Sequence, residues 1–257
     1  TGGEPWTEKP WKWLFDFIGK SKVPIMNSAG GTEVSGSILH CCLHRPFKVG
    51  SFNAPIPGMS PGIITSDGKE VELNQMGELI MRKSSIGLTK SLWGDDDRYI
   101  NNYWTVIKNF WVHGDLASRD KDGHWYLHGR SDDTIKVSGK RIGPSELESV
   151  VVKSGKVKEV AAVGIPDESK GSKIILSIVP LDEKDEFKAD FFADLIIKDL
   201  GKSFKPDKII FVKDLPKTRN MKIMRRVIKS CLTNDDPGDV STLLNPESVE
   251  EIKQHAI

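Results

Sequence analysis

No apolar run in this chain is long. The longest stretches, such as Ile174-Ile175-Leu176 and Leu195-Ile196-Ile197, fall far short of the roughly 18 residues that a membrane-spanning helix needs. The chain must therefore bury its apolar side chains by folding many short elements against one another. It has 257 residues, and at roughly 150 residues per domain two compact units are expected. Apolar residues make up 38% and charged residues 28%, the mixture of a globular protein rather than a disordered or fibrous one. Lys and Arg number 37 against 36 Asp and Glu, which leaves a general polyanion-binding role without its simplest support. Neither nucleic acid nor membrane is expected as a partner. Three cysteines, two of them adjacent (Cys41, Cys42), form no disulfide framework and fit a reducing compartment, so the expected location is cytoplasmic. The opening Thr1-Gly2-Gly3-Glu4-Pro5-Trp6 has neither the basic region nor the apolar core of a signal peptide, and it does not read as a natural amino terminus.

Residues 48–82 carry short apolar runs broken by Pro55, Pro57 and Pro61, the pattern of a small β unit. Ser66-Asp67-Gly68 reads there as a hairpin turn between Ile63-Ile64 and Val71-Glu72-Leu73. Before it, apolar residues at 11, 14, 15 and 18 predict a helix from Trp11 to Gly19. A second pattern begins near Ser131. Gly143-Pro144-Ser145-Glu146 starts a helix with Leu147, Val150 and Val151 on one face. Val160 to Ile165, Ile174 to Val179 and Lys208 to Val212 are β-rich. Between the last two, Phe187, Phe191, Phe192, Leu195 and Ile196 repeat at helical spacing until Gly201. A final helix is predicted from Met221 to Cys231, with Ile223, Met224, Val227, Ile228 and Cys231 inward. The carboxy-terminal unit then reads as an α+β sandwich of about three strands and three helices.

Several residue clusters invite chemistry. His40-Cys41-Cys42-Leu43-His44 has metal-binding side chains, but adjacent cysteines alternate faces on a strand and no second cluster completes a tetrahedral set. Gly19-Lys20-Ser21 and Gly201-Lys202-Ser203 lack the upstream glycine of a phosphate loop, since Leu14 and Ile196 stand there, and read as helix terminations. Residues 216–230 hold six basic residues and no acid, a solvated helix face or a nucleic-acid patch, without the interleaved aromatics that stack on bases. Asn27-Ser28-Ala29-Gly30-Gly31-Thr32-Glu33 is a glycine-rich turn presenting a hydroxyl beside a carboxylate. Such a turn admits phosphate and its Mg²⁺, or is an ordinary loop. His113-Gly114-Asp115 and Gly129-Arg130-Ser131-Asp132-Asp133 flank the hairpin Asp122-Gly123-His124-Trp125-Tyr126. The hairpin should bring a carboxylate and a guanidinium together, a pairing suited to ribose hydroxyls and a neighbouring anion.

Taken in order, Gly3-Glu4-Pro5, Gly30-Gly31-Thr32-Glu33, Gly77-Glu78-Leu79, Tyr99 to Trp104, His113-Gly114-Asp115-Leu116, the run from Gly129 to Ile142, Pro216 to Arg226 and Gly238 to Leu243 resemble the carboxy-terminal part of AMP-forming acyl-CoA synthetases of the adenylate-forming superfamily, closest to acetyl-CoA synthetases. The resemblance covers essentially the whole chain. It implies a fold of class α/β plus α+β. Residues 1–131 would be the carboxy-terminal part, or remnant, of the large amino-terminal domain with its small β unit, and residues 132–257 a small mobile α+β domain with a tail. It implies a ligase that joins a carboxylic acid to ATP, releases pyrophosphate and passes the acyl group from AMP to coenzyme A.

By the same resemblance Gly3, Glu4 and Pro5 border the adenine, Gly30, Gly31 and Thr32 lie at the α-phosphate, and Glu33 holds Mg²⁺. Asp115 and Arg130 grip the ribose, and Arg141 meets the phosphate. Asp132 matches the hinge between half-reactions, Ser138 and Gly139 the pantetheine channel of coenzyme A, and Lys222 the catalytic lysine that reaches the forming acyl-adenylate. There are departures. Met221 stands where glycine normally precedes that lysine, and Ala29 replaces the aromatic residue on adenine. Gly30 stands where acetate-specific members have tryptophan, which implies room for a short- to medium-chain acyl group. Ile197 replaces an arginine for the coenzyme A 3′-phosphate, with Lys198 as substitute. The family's phosphate loop should precede Gly3. The chain is therefore expected to be an inactive fragment that needs its missing amino-terminal half or self-association, with a non-catalytic nucleotide or acyl-CoA binding module as the alternative. Apolar surface is expected around residues 1–40.

Overall fold

Short, proline-interrupted segments give short strands, and in a computed structural model, which describes residues 1–2, 6, 8–182 and 188–256, they form two units, Thr1–Asp132 and Asp133–Ile257. Gly3, Glu4 and Pro5, expected at the adenine, and Phe187, expected on a helix stripe, lie outside the described residues.

The first unit opens with helix α1, Glu8–Trp13. From Leu14 to Ile18 the chain continues in wider π-helical turns that close on Gly19, so the expected single α-helix to Gly19 is corrected. The cause is burial: Trp11 is 8% exposed, while Phe17 is 71% and Ile18 59% exposed, and a half-covered stripe holds regular packing weakly. Val23 is also exposed. Strand β1 (Ser28–Gly31) pairs antiparallel with β2 (Gly36–His40), with a shift of register between Ala29 and Gly30, and β2 pairs with β3 (Ala54–Pro55).

A four-stranded antiparallel sheet follows, in chain order: β4 (Pro61–Ile64), β5 (Gly77–Met81), β6 (Trp111–Arg119) and β7 (Trp125–Arg130). The turn after β4 forms as expected, with Thr65 N–H donating to Lys69 O at 2.8 Å. Its second arm is short, with one bridge between Ile64 and Glu70 and Val71 N–H donating to Ile63 O at 3.2 Å. Val71 packs partly buried against the core, while Leu73 is left exposed. Between β5 and β6 lies helix α2 (Asp96–Tyr99), capped by the Asp95 carboxylate on Arg98 N–H at 3.2 Å, which runs into a π-helical turn at Ile100–Trp104. Ile38, Leu39, Phe52, Leu79, Trp111 and Trp125 form the core.

The second unit begins with a hairpin of β8 (Ile135–Val137) and β9 (Lys140–Ile142). Its two-residue turn has positive φ at both Ser138 (49°) and Gly139 (79°), the geometry that matches strand twist. Helix α3 runs Pro144–Lys153, as the Gly-Pro start predicts, with Leu147, Val150 and Val151 buried. Strands β10 (Val157–Asp167) and β11 (Gly171–Pro180) form a long antiparallel hairpin. Helix α4 (Ala189–Leu200) then crosses over so that β12 (Lys208–Phe211) pairs parallel with β11. Residues alternate faces along these strands. One face packs on α3 and α4 through Leu147, Phe192 and Ile196. The other packs on α5 (Arg225–Thr233) and α6 (Glu247–Lys253) through Val227, Ile228 and Ile252. This is the expected α+β unit, with a further helix and a hairpin.

The helix expected from Met221 is corrected to start at Arg225. Met221 has φ +63°, which no right-handed helix accommodates. The chain there forms a hairpin instead: Lys217 bridges Ile223, Thr218 N–H donates to Lys222 O at 2.9 Å, and Met224 N–H donates to Pro216 O at 2.8 Å.

Candidate functional site

The β6–β7 hairpin aligns Asp115 opposite Arg130. Arg130 Nη1 lies 3.6 Å from Asp115 Oδ1 and donates to His113 O at 3.1 Å, while Nε donates to Asp132 Oδ1 at 3.1 Å. The close approach depends on Gly114, whose φ is +85°; a Cβ there would stand 2.6 Å from Arg130 Nη2. Asp115 Oδ2 is 3.2 Å from His113 Nε2. A guanidinium held between carboxylates can face an anion, and a carboxylate beside it can accept from hydroxyl donors. The hairpin thus joins the pair that the sequence pattern anticipated.

Behind it stands Glu78 on β5, whose carboxyl is raised above the usual range by burial, against the lowering effects of a hydrogen bond with Ser131 and the Arg130 charge. Among the described residues nothing donates to Glu78 Oε2.

The glycine-rich segment places β1 next to a 3₁₀ turn, Thr32–Val34, ended by Ser35 in the left-handed region. Thr32 is exposed, and Glu33 is half-buried above the buried Val34. Gly31 leaves little room for a side chain: a Cβ there would sit 3.0 Å from Glu33 Oε2 and 3.3 Å from His113 Cε1. The first unit therefore brings Glu33, His113, Asp115 and Arg130 onto one continuous stretch. Gly30 has a different reason for lacking a side chain, since a Cβ would lie 2.5 Å from Ser37 Cα. The space beside Gly30 is filled by the β2 backbone.

Tyr103 lies in the π-helical turn, near enough to Glu33 to feel its charge. Its hydroxyl is pushed up to about 12, first by burial and then by the Glu33 charge. Tyr103, His113 and Glu78 were inside motifs visible in the sequence, yet nothing in their spacing announced roles. An aromatic recurring four residues after Tyr99 was the available signal.

In the second unit, Ser138 and Gly139 sit at the exposed tip of the β8–β9 hairpin, with no atom within 4 Å of a Cβ built on Gly139. Arg141 is exposed on β9, and Lys198 is exposed in the last turn of α4. Lys140 Nζ donates to Ser203 Oγ at 3.1 Å, which ties the hairpin to the segment after α4. Lys222 is exposed on its hairpin, with its N–H held by Thr218 Oγ1 at 3.2 Å. The nearby Lys217 is buried and structural: burial pushes its ammonium down, but Asp214 and Glu159, each at 2.6 Å, hold it above the usual value.

Among the described residues no group of three or more His, Cys, Asp or Glu could hold a metal ion unaided. Glu33 offers one hard carboxylate, and Mg²⁺ commonly takes one or two carboxylates and completes its shell with water and phosphate oxygens. Cys41 is buried with Sγ 3.4 Å from Ser51 O, and Cys42 N–H donates to Asn53 Oδ1; both belong to a loop organised by Asn53. Among the described residues no helix is long and apolar enough to cross a membrane.

These features define an adenylate-forming fold. Residues 146–222 match the AMP-binding enzyme C-terminal domain family. The acetoacetyl-CoA synthetase from Streptomyces lividans superposes with a TM-score of 0.84 over 99% of this chain and 40% of that chain, at 22% identity, a likeness of fold. An anthranilate CoA ligase in complex with anthranoyl-AMP gives 0.71 at 26% identity, over 86% of this chain and 42% of that one. The acetyl-coenzyme A synthetase of Methanothrix soehngenii is 38% identical over 260 residues, 97% of this chain and 38% of the relative. That of Pasteurella multocida is 35% identical, over 98% and 40%. The chain corresponds to the carboxy-terminal portion of an acyl-CoA synthetase and spans about two fifths of the length of the relatives it matches.

Proposed function

We propose that this chain forms part of a cytoplasmic, ATP-dependent, AMP-forming ligase that converts a carboxylic acid and coenzyme A to acyl-CoA, AMP and pyrophosphate. The observation that carries this reading is the Asp115–Arg130 pair, joined through His113 to Gly31 and the Glu33 carboxylate. In this reading Asp115 and Arg130 hold the ribose, Thr32 and the backbone of Gly30 and Gly31 face the α-phosphate, and Glu33 holds Mg²⁺. When bound, Mg²⁺ would offset the charge of the phosphates. Gly3, Glu4 and Pro5 border the adenine, and Arg141 meets the phosphate. Lys222 directs its ammonium at the charge developing between carboxylate and phosphate, Ser138, Gly139 and Lys198 receive coenzyme A, and residues 132–257 turn about Asp132 between the half-reactions. The acyl group is short to medium in this reading on the resemblance alone, since the β2 backbone already fills the space beside Gly30. Exposed Trp13, Phe17, Ile18 and Val23 meet an amino-terminal polypeptide or a second copy.

The test mixes this chain with a polypeptide supplying the amino-terminal portion of its relatives and measures carboxylate-dependent AMP and pyrophosphate. The mixture should be active and this chain alone inactive, because in-line positioning of the leaving group supplies much of the rate. Lys222→Ala should lower adenylation by about 10²–10³ and spare thioester formation from preformed acyl-AMP. Pyrophosphate release by this chain alone, abolished by Lys222→Ala, would make it a complete minimal enzyme. An inactive mixture would leave a binding module.

A further inference from the structure

Residues 238–245, which follow α5, fold back on the hairpin that carries Lys222. At one end of this segment Arg226, in the first turn of α5, donates through Nη2 to Asp239 O at 2.7 Å. The chain passes so close there that a Cβ on Gly238 would stand 2.8 Å from Arg226 Nη1. At the other end Thr218 bridges Leu243, and Leu244 N–H donates to Lys217 O at 2.8 Å. Asn245 completes the attachment. Its Oδ1 accepts from Lys217 N–H at 3.0 Å, while its Nδ2 donates to Asp214 Oδ2 at 2.7 Å and to Leu215 O at 2.8 Å. Asn245 is 7% exposed, so these bonds are made away from water. Residues 217 and 218 are thus the middle of a small ladder, with the Lys222–Ile223 arm on one side and residues 243 and 244 on the other.

We propose that residues 238–245 act as a clasp, with Asn245 as its positioning residue, that fixes where the hairpin presents the Lys222 ammonium during adenylation. This deepens the reading above and rests on its assignment of Lys222. Lys222 is exposed on the outer arm, directly after the left-handed Met221, and that arm is held through the middle one. A two-stranded hairpin alone is marginally stable in water. The third arm and a buried amide bonded through both its oxygen and its nitrogen supply what the hairpin lacks. A misplacement of about 1 Å caused by a change far from the chemistry can cost ~10²-fold in rate, so the clasp acts on the rate of adenylation rather than on nucleotide affinity.

Two measurements test this. The first follows amide hydrogen exchange in the 257-residue chain. In Asn245→Ala, residues 216–224 should exchange about tenfold faster or more, while β10 and β11 exchange as in the parent; unchanged exchange in 216–224 would overturn the proposal. If Asn245→Ala unfolds the whole unit, Arg226→Ala, which removes only the exposed contact with Asp239, decides by the same comparison. The second uses the mixture with the amino-terminal portion. Asn245→Ala should lower kcat for adenylation by between about tenfold and 10²-fold, leave KM for ATP unchanged and spare thioester formation from preformed acyl-AMP. In a Lys222→Ala background it should have no further effect, because it acts through Lys222. Adenylation at the parent rate, or an equal loss with and without Lys222, would overturn the proposal and leave the reading above standing. A parent mixture without activity would end that reading, and the proposal with it, whatever the exchange shows.

Discussion

Met221 shows how a residue can occupy a conformation its side chain opposes. Its φ of +63° costs an L-residue roughly 1–2 kcal/mol, and the turn persists because Thr218 and Lys222 close it from both sides. Met221→Gly should therefore raise stability by roughly 0.5 kcal/mol, the relief being reduced by the freer unfolded glycine chain; urea unfolding would measure it, and a loss would show that the methionine side chain contributes packing instead. Glu78 gives a pH signature. Ser131, Arg130, Asp115 and Asp132 face it, and burial outweighs the lowering effects of Ser131 and Arg130, so its folded carboxyl binds a proton more tightly than the unfolded one. Stability then falls as pH rises from the ordinary carboxylate range through the raised value and levels off above it. Glu78→Gln removes that fall, so its melting temperature should gain on the parent as pH rises above the ordinary carboxylate range; an equal difference at every pH would rule this out. Chemistry-bearing residues such as Asp115 and Arg130 were legible in the sequence because a hairpin turn fixes which residues face each other. Tyr103 and Glu78 were not, because their partners lie far along the chain and no local pattern encodes the contact.

Elements were legible where one apolar face met a full core. Helix α3 and strands β10 and β11 have buried stripes on schedule, whereas α1 and the start of α5 depend on neighbours that the local pattern does not include. The start of α5 is fixed by Arg225, whose Nε and Nη2 donate to Glu148 Oε1 and Oε2 at 3.1 and 2.8 Å; both side chains are about nine-tenths buried. Glu148 Oε1 also accepts from Ala162 N–H at 2.9 Å, so one carboxylate links α3, β10 and α5. Arg225→Ala should cost about 3 kcal/mol, because it strands a buried charge. Arg225→Met combined with Glu148→Gln should cost less than that single change, since the amide oxygen still accepts from Ala162; equilibrium unfolding in urea distinguishes the two, and a larger loss in the double variant would contradict the argument.

For the molecule as a whole, the pairing of β10 with β11 sets the sequence of folding events. The arms meet from Val157 opposite Pro180 to Asp167 opposite Gly171, so a very short loop closes a long ladder at little entropic cost. Joining β12 to β11 in parallel must wait for α4 to cross over, a contact between residues far apart in the chain. In kinetic terms the hairpin is the nucleus and β12 a late arrival. Ile174→Val should mainly slow refolding and Ile210→Val mainly speed unfolding, a contrast that chevron analysis of the chain reads directly. A nascent chain would accordingly carry an assembled β10–β11 ladder with an unfilled edge until the segment through Phe211 has emerged, and that edge is where premature association with a neighbouring strand would begin.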